Sequence, residues 1–174
     1  SVLIFRLGKQ PETIMFVRSK DALRETWDGF RYGIDGVEKD FGVDKAYLID
    51  EFEKVAPDLL MDVDRVYYTL FHDIEFDERI GRVLLGVKNL RRRSGRGLLP
   101  IADAIPVIGE MRLVKSDYEA KTLRQACTIS AEAHVELMKF VRPGMNEREL
   151  QGRFVYEIMK RGSAREGYGS IIAG

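Results

Sequence analysis

The stretch "VIGEMRLVKSDYEAKTLRQACTISAEAH", residues 107–134, decides how the chain is organised. Ser116 followed three residues later by Glu119 reads as a capping box, in which the hydroxyl accepts from an amide of the first turn and the carboxylate reaches back to the cap. Beyond it Ala120, Leu123, Cys127, Ser130, Ala131, His134, Leu137 and Met138 fall mostly on one stripe, so a long amphipathic helix starts here. Pro143 and Gly144 of "RPGMN" stop it. Asn146 with Glu149 then opens a second helix through "ELQGRFVYEIMKRG", whose apolar face is Leu150, Phe154, Val155, Ile158 and Met159. The closing "GSIIAG" reads as a strand just entered, and helices of this kind need a sheet to cover their apolar faces.

Upstream the pattern changes. "SVLIFRL" and "TIMFV" are short β-branched runs around the turn-forming "GKQPE" and predict a hairpin. "SKDALRETW" predicts a brief helix capped by Ser19, and the glycines of "GFRYGIDG" mark turns. "GVEKDF" reads as a short helix ending at Gly42, followed by the strand "KAYLI". "EFEKVAPDLLMDV" repeats that pattern and leads to the strand "RVYYTLF". From Asp77 to Leu90 the residues Ile80, Val83, Leu84, Val87 and Leu90 recur at helical spacing, and the helix ends in the basic turn "RRRSGRG". Strands alternating with short helices predict an α/β layered domain with a mixed sheet over residues 1–108. "LPIADAIPVIG", with two prolines and no long helical pattern, is the expected linker, and residues 109–174 form a second, incomplete unit.

A length of 174 residues suits one domain and part of another, and 45% hydrophobic with 32% charged residues describes a folded globular chain. The 28 Lys and Arg balance the 28 Asp and Glu, so no global field draws the chain to nucleic acid, and no nucleic-acid partner is expected. No apolar run approaches the roughly 20 residues of a membrane span, so no membrane partner is expected and a cytoplasmic location follows by default. Cys127 is the only cysteine, which excludes an internal disulfide and suits a reducing compartment. A first residue other than Met and a strand just begun at the other end suggest that both ends are cuts.

Few residues offer chemistry of their own. Asp62 and Asp64 in "DVD" share one side of an extended segment but lack a nearby His or Glu, so a solvated turn is expected. In "HDIEFDE" the residues His72, Asp73, Glu75 and Asp77 precede a helix, where capping and the helix dipole account for them better than metal binding does. His134 and Cys127 lie on the apolar stripe and are expected to be packed. Lys88, Arg91, Arg92, Arg93 and Arg96 could grip phosphates, but cations at a helix C-terminus are also favoured by its dipole. Trp27, the sole tryptophan, is either a lid on its own core or an anchor for another surface.

Three stretches resemble the creatinase, prolidase and aminopeptidase P superfamily, and aminopeptidase P most of all. "TWDGFRYGIDGVEKDFGVDKAY" is similar to the Trp-x-Gly-x-Arg-x-Gly loop and following strand of the family's amino-terminal domain. "PVIGEMRLVKSDYEAKTLRQACTISAEAH" resembles the junction at which a Met-Arg-Leu-x-Lys-Ser step enters the catalytic domain. "VRPGMNERELQGRFVYEIMKRGSAREGYGSIIAG" resembles its Arg-Pro-Gly-Met turn, second helix and first strand. The resemblance implies a creatinase-type amino-terminal α/β domain, lacking its first elements, and the start of a pita-bread catalytic domain. It implies a homo-oligomeric Xaa-Pro aminopeptidase that uses two divalent metal ions, manganese in kind, and takes peptides with proline at the second position. The family's ligands, two Asp, one His and two Glu, are expected past the end of this sequence, so no catalytic or metal residue is assigned and the chain alone is expected to be inactive. Trp27 matches a loop tryptophan that can reach a neighbouring subunit's active site, and Tyr168 matches a strand near the pocket for the first substrate residue. The alternatives are a metal-free pita-bread module that binds peptides or histones, and a creatinase or prolidase.

Overall fold

The run around Ile14 and Phe16 becomes the middle strand of a three-stranded sheet, buried on both faces. The computed structural model describes residues 1–8 and 10–173; Lys9, inside the expected hairpin turn, and Gly174 lie outside the described residues. The chain divides into two units, Ser1–Pro106 and Val107–Gly174.

In the first unit β1 (Val2–Arg6) and β2 (Glu12–Val17) pair antiparallel, with Val2 opposite Phe16 and Arg6 opposite Glu12. β3 (Lys45–Leu48) pairs parallel to β2, with Phe16 opposite Tyr47. Side chains alternate across a strand, so Ile14 and Phe16 face one layer and Met15 and Val17 the other. Ile14 and Phe16 pack with Phe52 and Ala56 of α3 (Phe52–Leu60) and Val83 of α4 (Ile74–Leu90). Val17 packs with Val37 of α2 (Gly33–Phe41) and with Val43. Helices on both faces explain why "TIMFV" is apolar throughout instead of alternating with polar residues.

The helix α1 (Ala22–Asp28) is capped by Asp21, whose carboxylate accepts from the amides of Leu23 and Arg24, both at 3.1 Å; the expected cap, Ser19, lies outside it. Gly42 ends α2 in the left-handed conformation that a Cβ disfavours. α4 begins earlier than expected, at Ile74, because the Asp73 carboxylate accepts from the Phe76 amide at 3.0 Å and caps it. α3 and α4 pack closely at Gly86, where an added Cβ would lie 2.7 Å from the Pro57 ring.

"RVYYTLF" yields only β4 (Val66–Tyr67), because from Thr69 onward side chains replace the ladder as partners. Thr69 donates to Asp103 at 2.8 Å, and Asp77 accepts both the Tyr68 hydroxyl at 2.6 Å and the Phe71 amide at 2.8 Å. The expected linker is structured. Ile101–Ala102 forms β5, parallel to β4, and Ile105–Leu113 forms α5. Pro106 is tolerated because the first-turn amides have no intrahelical acceptor, and the Asp103 carboxylate takes up the Ile105 amide at 3.0 Å.

The second unit is a helical hairpin of α6 (Asp117–Phe140) and α7 (Glu147–Lys160), each opened by the expected capping box, Ser116 with Glu119 and Asn146 with Glu149. Gly144 adopts φ +85 in the turn between them. The segment past Arg161 contains no strand among the described residues, contrary to the reading of "GSIIAG". A strand needs a neighbour to take its backbone hydrogen bonds, and the described residues of this unit offer only helices.

Candidate functional site

Trp27 stands in the last turn of the helix α1, where the resemblance implies a loop. Asp21 caps α1, Glu25 returns a carboxylate to the Asp21 amide at 3.2 Å, and Gly29 leaves the helix at φ +86. None of the seven residues of α1 is buried, and Trp27 is 88% exposed with Leu23 exposed one turn earlier. The lid reading of Trp27 therefore fails, because the indole covers no core of its own. Arg31 holds the loop from beneath. Its guanidinium donates to the Asp28 carboxylate at 3.1 Å and to the Ser19 carbonyl at 3.4 Å, while its buried Nε has no partner among the described residues. Gly33 is required here: at φ +65 its Cβ would also meet Lys20 Cγ at 2.9 Å. Phe30, Tyr32 and Phe41 stack edge to face beside the loop, with centroids 5.0 and 4.9 Å apart.

In the second unit an open cleft of about 810 Å³ lies between α6, α7 and the segment after Gly162. Tyr168, 81% exposed, lines it together with Ser130, His134, Phe154 and Ile158. His134 is exposed instead of packed, though its ring meets Phe154 edge to face at 4.8 Å. Its Nδ1 lies 2.7 Å from the Ser130 carbonyl oxygen. That oxygen only accepts, so Nδ1 carries a proton. Cys127 is also exposed, a departure from the expected stripe, because Ala133 and Ile158 form the contact line of the hairpin instead. Glu166 accepts from the Ser170 hydroxyl and closes a short loop around Tyr168.

The sequence reading passed over one group, Glu157, which is 1% exposed. Arg153 pairs with it at 2.6 Å and Arg161 also bonds it; Arg161 then reaches Glu132 on α6 at 3.0 Å. The hydrogen bond from Arg161 holds the Glu157 carboxyl below the usual range against the opposing effect of burial, and the charge of Arg153 assists. Arginines four residues before and after an acid on a helix were the available signal.

No three His, Cys, Asp or Glu side chains converge to hold a metal ion among the described residues. Asp73 and Asp77 are occupied as a cap and a loop clamp. Arg91 is buried, and its guanidinium donates to the carbonyls of Leu60, Met61 and Val63 at the end of α3. No helix is long and apolar enough to cross a membrane among the described residues.

Comparison with known proteins agrees with this architecture. The family model described as "Aminopeptidase P, N-terminal domain" matches residues 1–67, and that of metallopeptidase family M24 matches residues 121–174. A Xaa-Pro aminopeptidase of Escherichia coli is 34% identical over 98% of this chain and 39% of its own length. One of Haemophilus influenzae is 29% identical over 100% of this chain and 38% of its own. The structure of Pseudomonas aeruginosa aminopeptidase PepP superposes with a TM-score of 0.83 at 34% identity, over 97% of this chain and 38% of that one. Zinc-substituted E. coli aminopeptidase P in complex with product gives a TM-score of 0.84 at 31% identity, over 92% of this chain and 37% of that one. This chain thus spans under two fifths of the length of these relatives.

Proposed function

Because this chain belongs to the aminopeptidase P family, we propose that the protein acts as a metallopeptidase releasing an amino-terminal residue that precedes proline. The observation that carries the reading is the joint agreement of sequence and backbone with Xaa-Pro aminopeptidases along nearly the whole chain. Residues 1–108 would be the creatinase-type amino-terminal domain and residues 109–174 the start of the catalytic domain, a division supported by where the two family models match.

Two residues take proposed roles. Trp27 would enter a neighbouring subunit's active site in a homo-oligomer, a role supported by its exposure on a helix capped at both ends. Tyr168 would lie near the pocket for the first substrate residue, a role supported by its exposure on the wall of the second unit's cleft. Two divalent metal ions, manganese in kind, are proposed for the full enzyme; in such a site they would generate a hydroxide nucleophile and polarise the scissile carbonyl. The described residues do not gather a ligand set for them, so no step of the reaction is assigned to a metal held by this chain. The single thiol suits a reducing compartment, and the proposed location is the cytoplasm.

The test is a substrate panel with the full-length protein and Mn²⁺. Cleavage of Xaa-Pro tripeptides at the first bond is expected. Cleavage of Xaa-Pro dipeptides alone would turn the reading to prolidase, turnover of creatine alone to creatinase, and peptide binding without turnover to a binding module. Substituting Trp27→Ala should raise KM for tripeptides, whereas appreciable turnover by the 174-residue polypeptide alone would show that the ligand set has been misplaced.

A further inference from the structure

Five cations crowd into the nine residues from Lys88 to Arg96, and the loop next to them, residues 60–65, adds Arg65 against only two carboxylates, Asp62 and Asp64. Two of the five are spent on structure. Arg91 is turned inward onto three carbonyl oxygens, and Arg96 donates to the Asp62 carbonyl at 3.2 Å. The Ser94 hydroxyl donates to the Arg91 carbonyl at 2.8 Å and accepts from the Arg96 amide at 3.3 Å, so the turn is fastened from within. Lys88, Arg92 and Arg93 are exposed and make no ion pair among the described residues.

The dipole of α4 favours cations in its last turn and accounts for Lys88 and Arg91. It fades within a turn and gives no reason for Arg92, Arg93 and Arg96, which follow the helix. In a chain of zero formal net charge such a local excess marks a surface for an anionic partner.

The shape and chemistry of the turn select among anionic partners. Residues 92–98 are all exposed, so the cations stand together on an open turn that a flat surface can meet. No aromatic residue lies between Leu85 and Pro100, so there is no platform for stacking bases. Leu98, directly after the cations, is 68% exposed while Leu99 is buried. Cations beside one exposed aliphatic side chain match a headgroup layer over an acyl boundary. We propose that the turn from Lys88 to Leu98 is a peripheral docking surface for an anionic phospholipid bilayer, with Lys88, Arg92 and Arg93 on the headgroup phosphates and Leu98 at the acyl boundary. The contact is interfacial and involves no membrane span.

The test is co-sedimentation of the full-length protein with vesicles of phosphatidylcholine containing about one-third phosphatidylglycerol, a mixture whose surface potential is negative. Each cation near such a surface strengthens partitioning by about five-fold, so Arg92→Gln combined with Arg93→Gln should weaken it about thirty-fold. Both side chains are exposed and unpaired, so the melting temperature should not move. Leu98→Ser should weaken binding a few-fold further, and raising the salt toward about 1 M, where the screening length falls to about 3 Å, should release the protein. Equal partitioning into pure phosphatidylcholine, or an unchanged affinity in the double variant, would overturn the proposal. So would retention on a single-stranded oligonucleotide through the same arginines without vesicle binding, which would assign the turn to nucleic acid.

Discussion

Replacing Arg91 with alanine should cost the first unit more than any surface substitution of its neighbours. The side chain is 5% exposed, and its guanidinium meets the Met61 carbonyl at 2.7 Å, the Leu60 carbonyl at 3.3 Å and the Val63 carbonyl. These belong to the last turn of α3 and the residues after it, where a helix leaves carbonyls without intrahelical donors. A hydrogen bond to a charged group contributes about 1.5–3 kcal/mol. Water can re-solvate part of what the alanine exposes, so about 2–4 kcal/mol is expected in all. A domain of this size shifts by about 4–8 °C per kcal/mol, so far-UV circular dichroism should show a melting temperature lower by roughly 8–32 °C. Arg91→Lys should recover less than half of the loss, because one ammonium cannot span three carbonyls as a planar fork does. Arg92→Ala, one residue on and exposed, should stay within about 0.5 kcal/mol of the parent. If Arg91→Ala and Arg92→Ala melted together, the capping role of Arg91 would be refuted.

Three further outcomes follow from the charged groups. Glu53 links α3 to α4 through hydrogen bonds from Arg82 and Arg79, which lower its pKa to about 2. A depressed carboxyl stabilises the fold above its unfolded value of about 4.3 and loses that contribution as the pH falls through about 2; urea midpoints of the parent and Glu53→Gln should differ at neutral pH and converge in acid. Burial, with the hydrogen bond and charge of Asp77, raises Tyr68 to about 12. Its contribution is complete below about pH 10 and lost between about 10 and 12 as the unfolded phenol ionises first, so Tyr68→Phe should flatten alkaline destabilisation in that window, and parallel curves would contradict this. Glu157→Gln should leave Arg153 without its counter-charge and Arg161 with Glu132 alone, and speed hydrogen exchange at the Ala133 amide.

The parts of the fold that local chemistry dictates were readable from residues. Ser116 with Glu119, Asn146 with Glu149, and Gly42 all appear where their cap chemistry requires. What escaped depends on tertiary partners. Asp21 and Ser19 are equally good caps by composition, and the choice fell to Asp21 because Glu25 can return a bond to its amide. The Ile105–Leu113 helix was hidden by Pro106, which punctuates a sequence but is harmless in a first turn. His134 and Cys127 sat on a stripe turned off the true contact face: the buried residue of α6 is Ala133, which the stripe left out, and only members such as Ser130 and Leu137 are half-buried. The candidate site was legible mainly through resemblance: nothing in the periodicity around Trp27 distinguishes an exposed anchor from a buried lid.

The exposure of Trp27 can be weighed against its setting. A tryptophan holds roughly 150–250 Å² of largely apolar surface, and leaving it in water forgoes several kcal/mol at about 25 cal/mol per Å². A floppy loop could fold such a side chain back onto the nearby aromatic cluster of Phe30, Tyr32 and Phe41. Here Asp21, Glu25 and the Arg31 bonds to Asp28 and Ser19 hold the loop so that it does not. Those polar contacts fix the helix end on which the exposed indole stands. Breaking them with Arg31→Ala should therefore let Trp27 collapse inward, with a blue shift of its fluorescence. An emission maximum that stays at the solvent-exposed position would mean that α1 alone, without the arginine beneath it, is enough to present the indole.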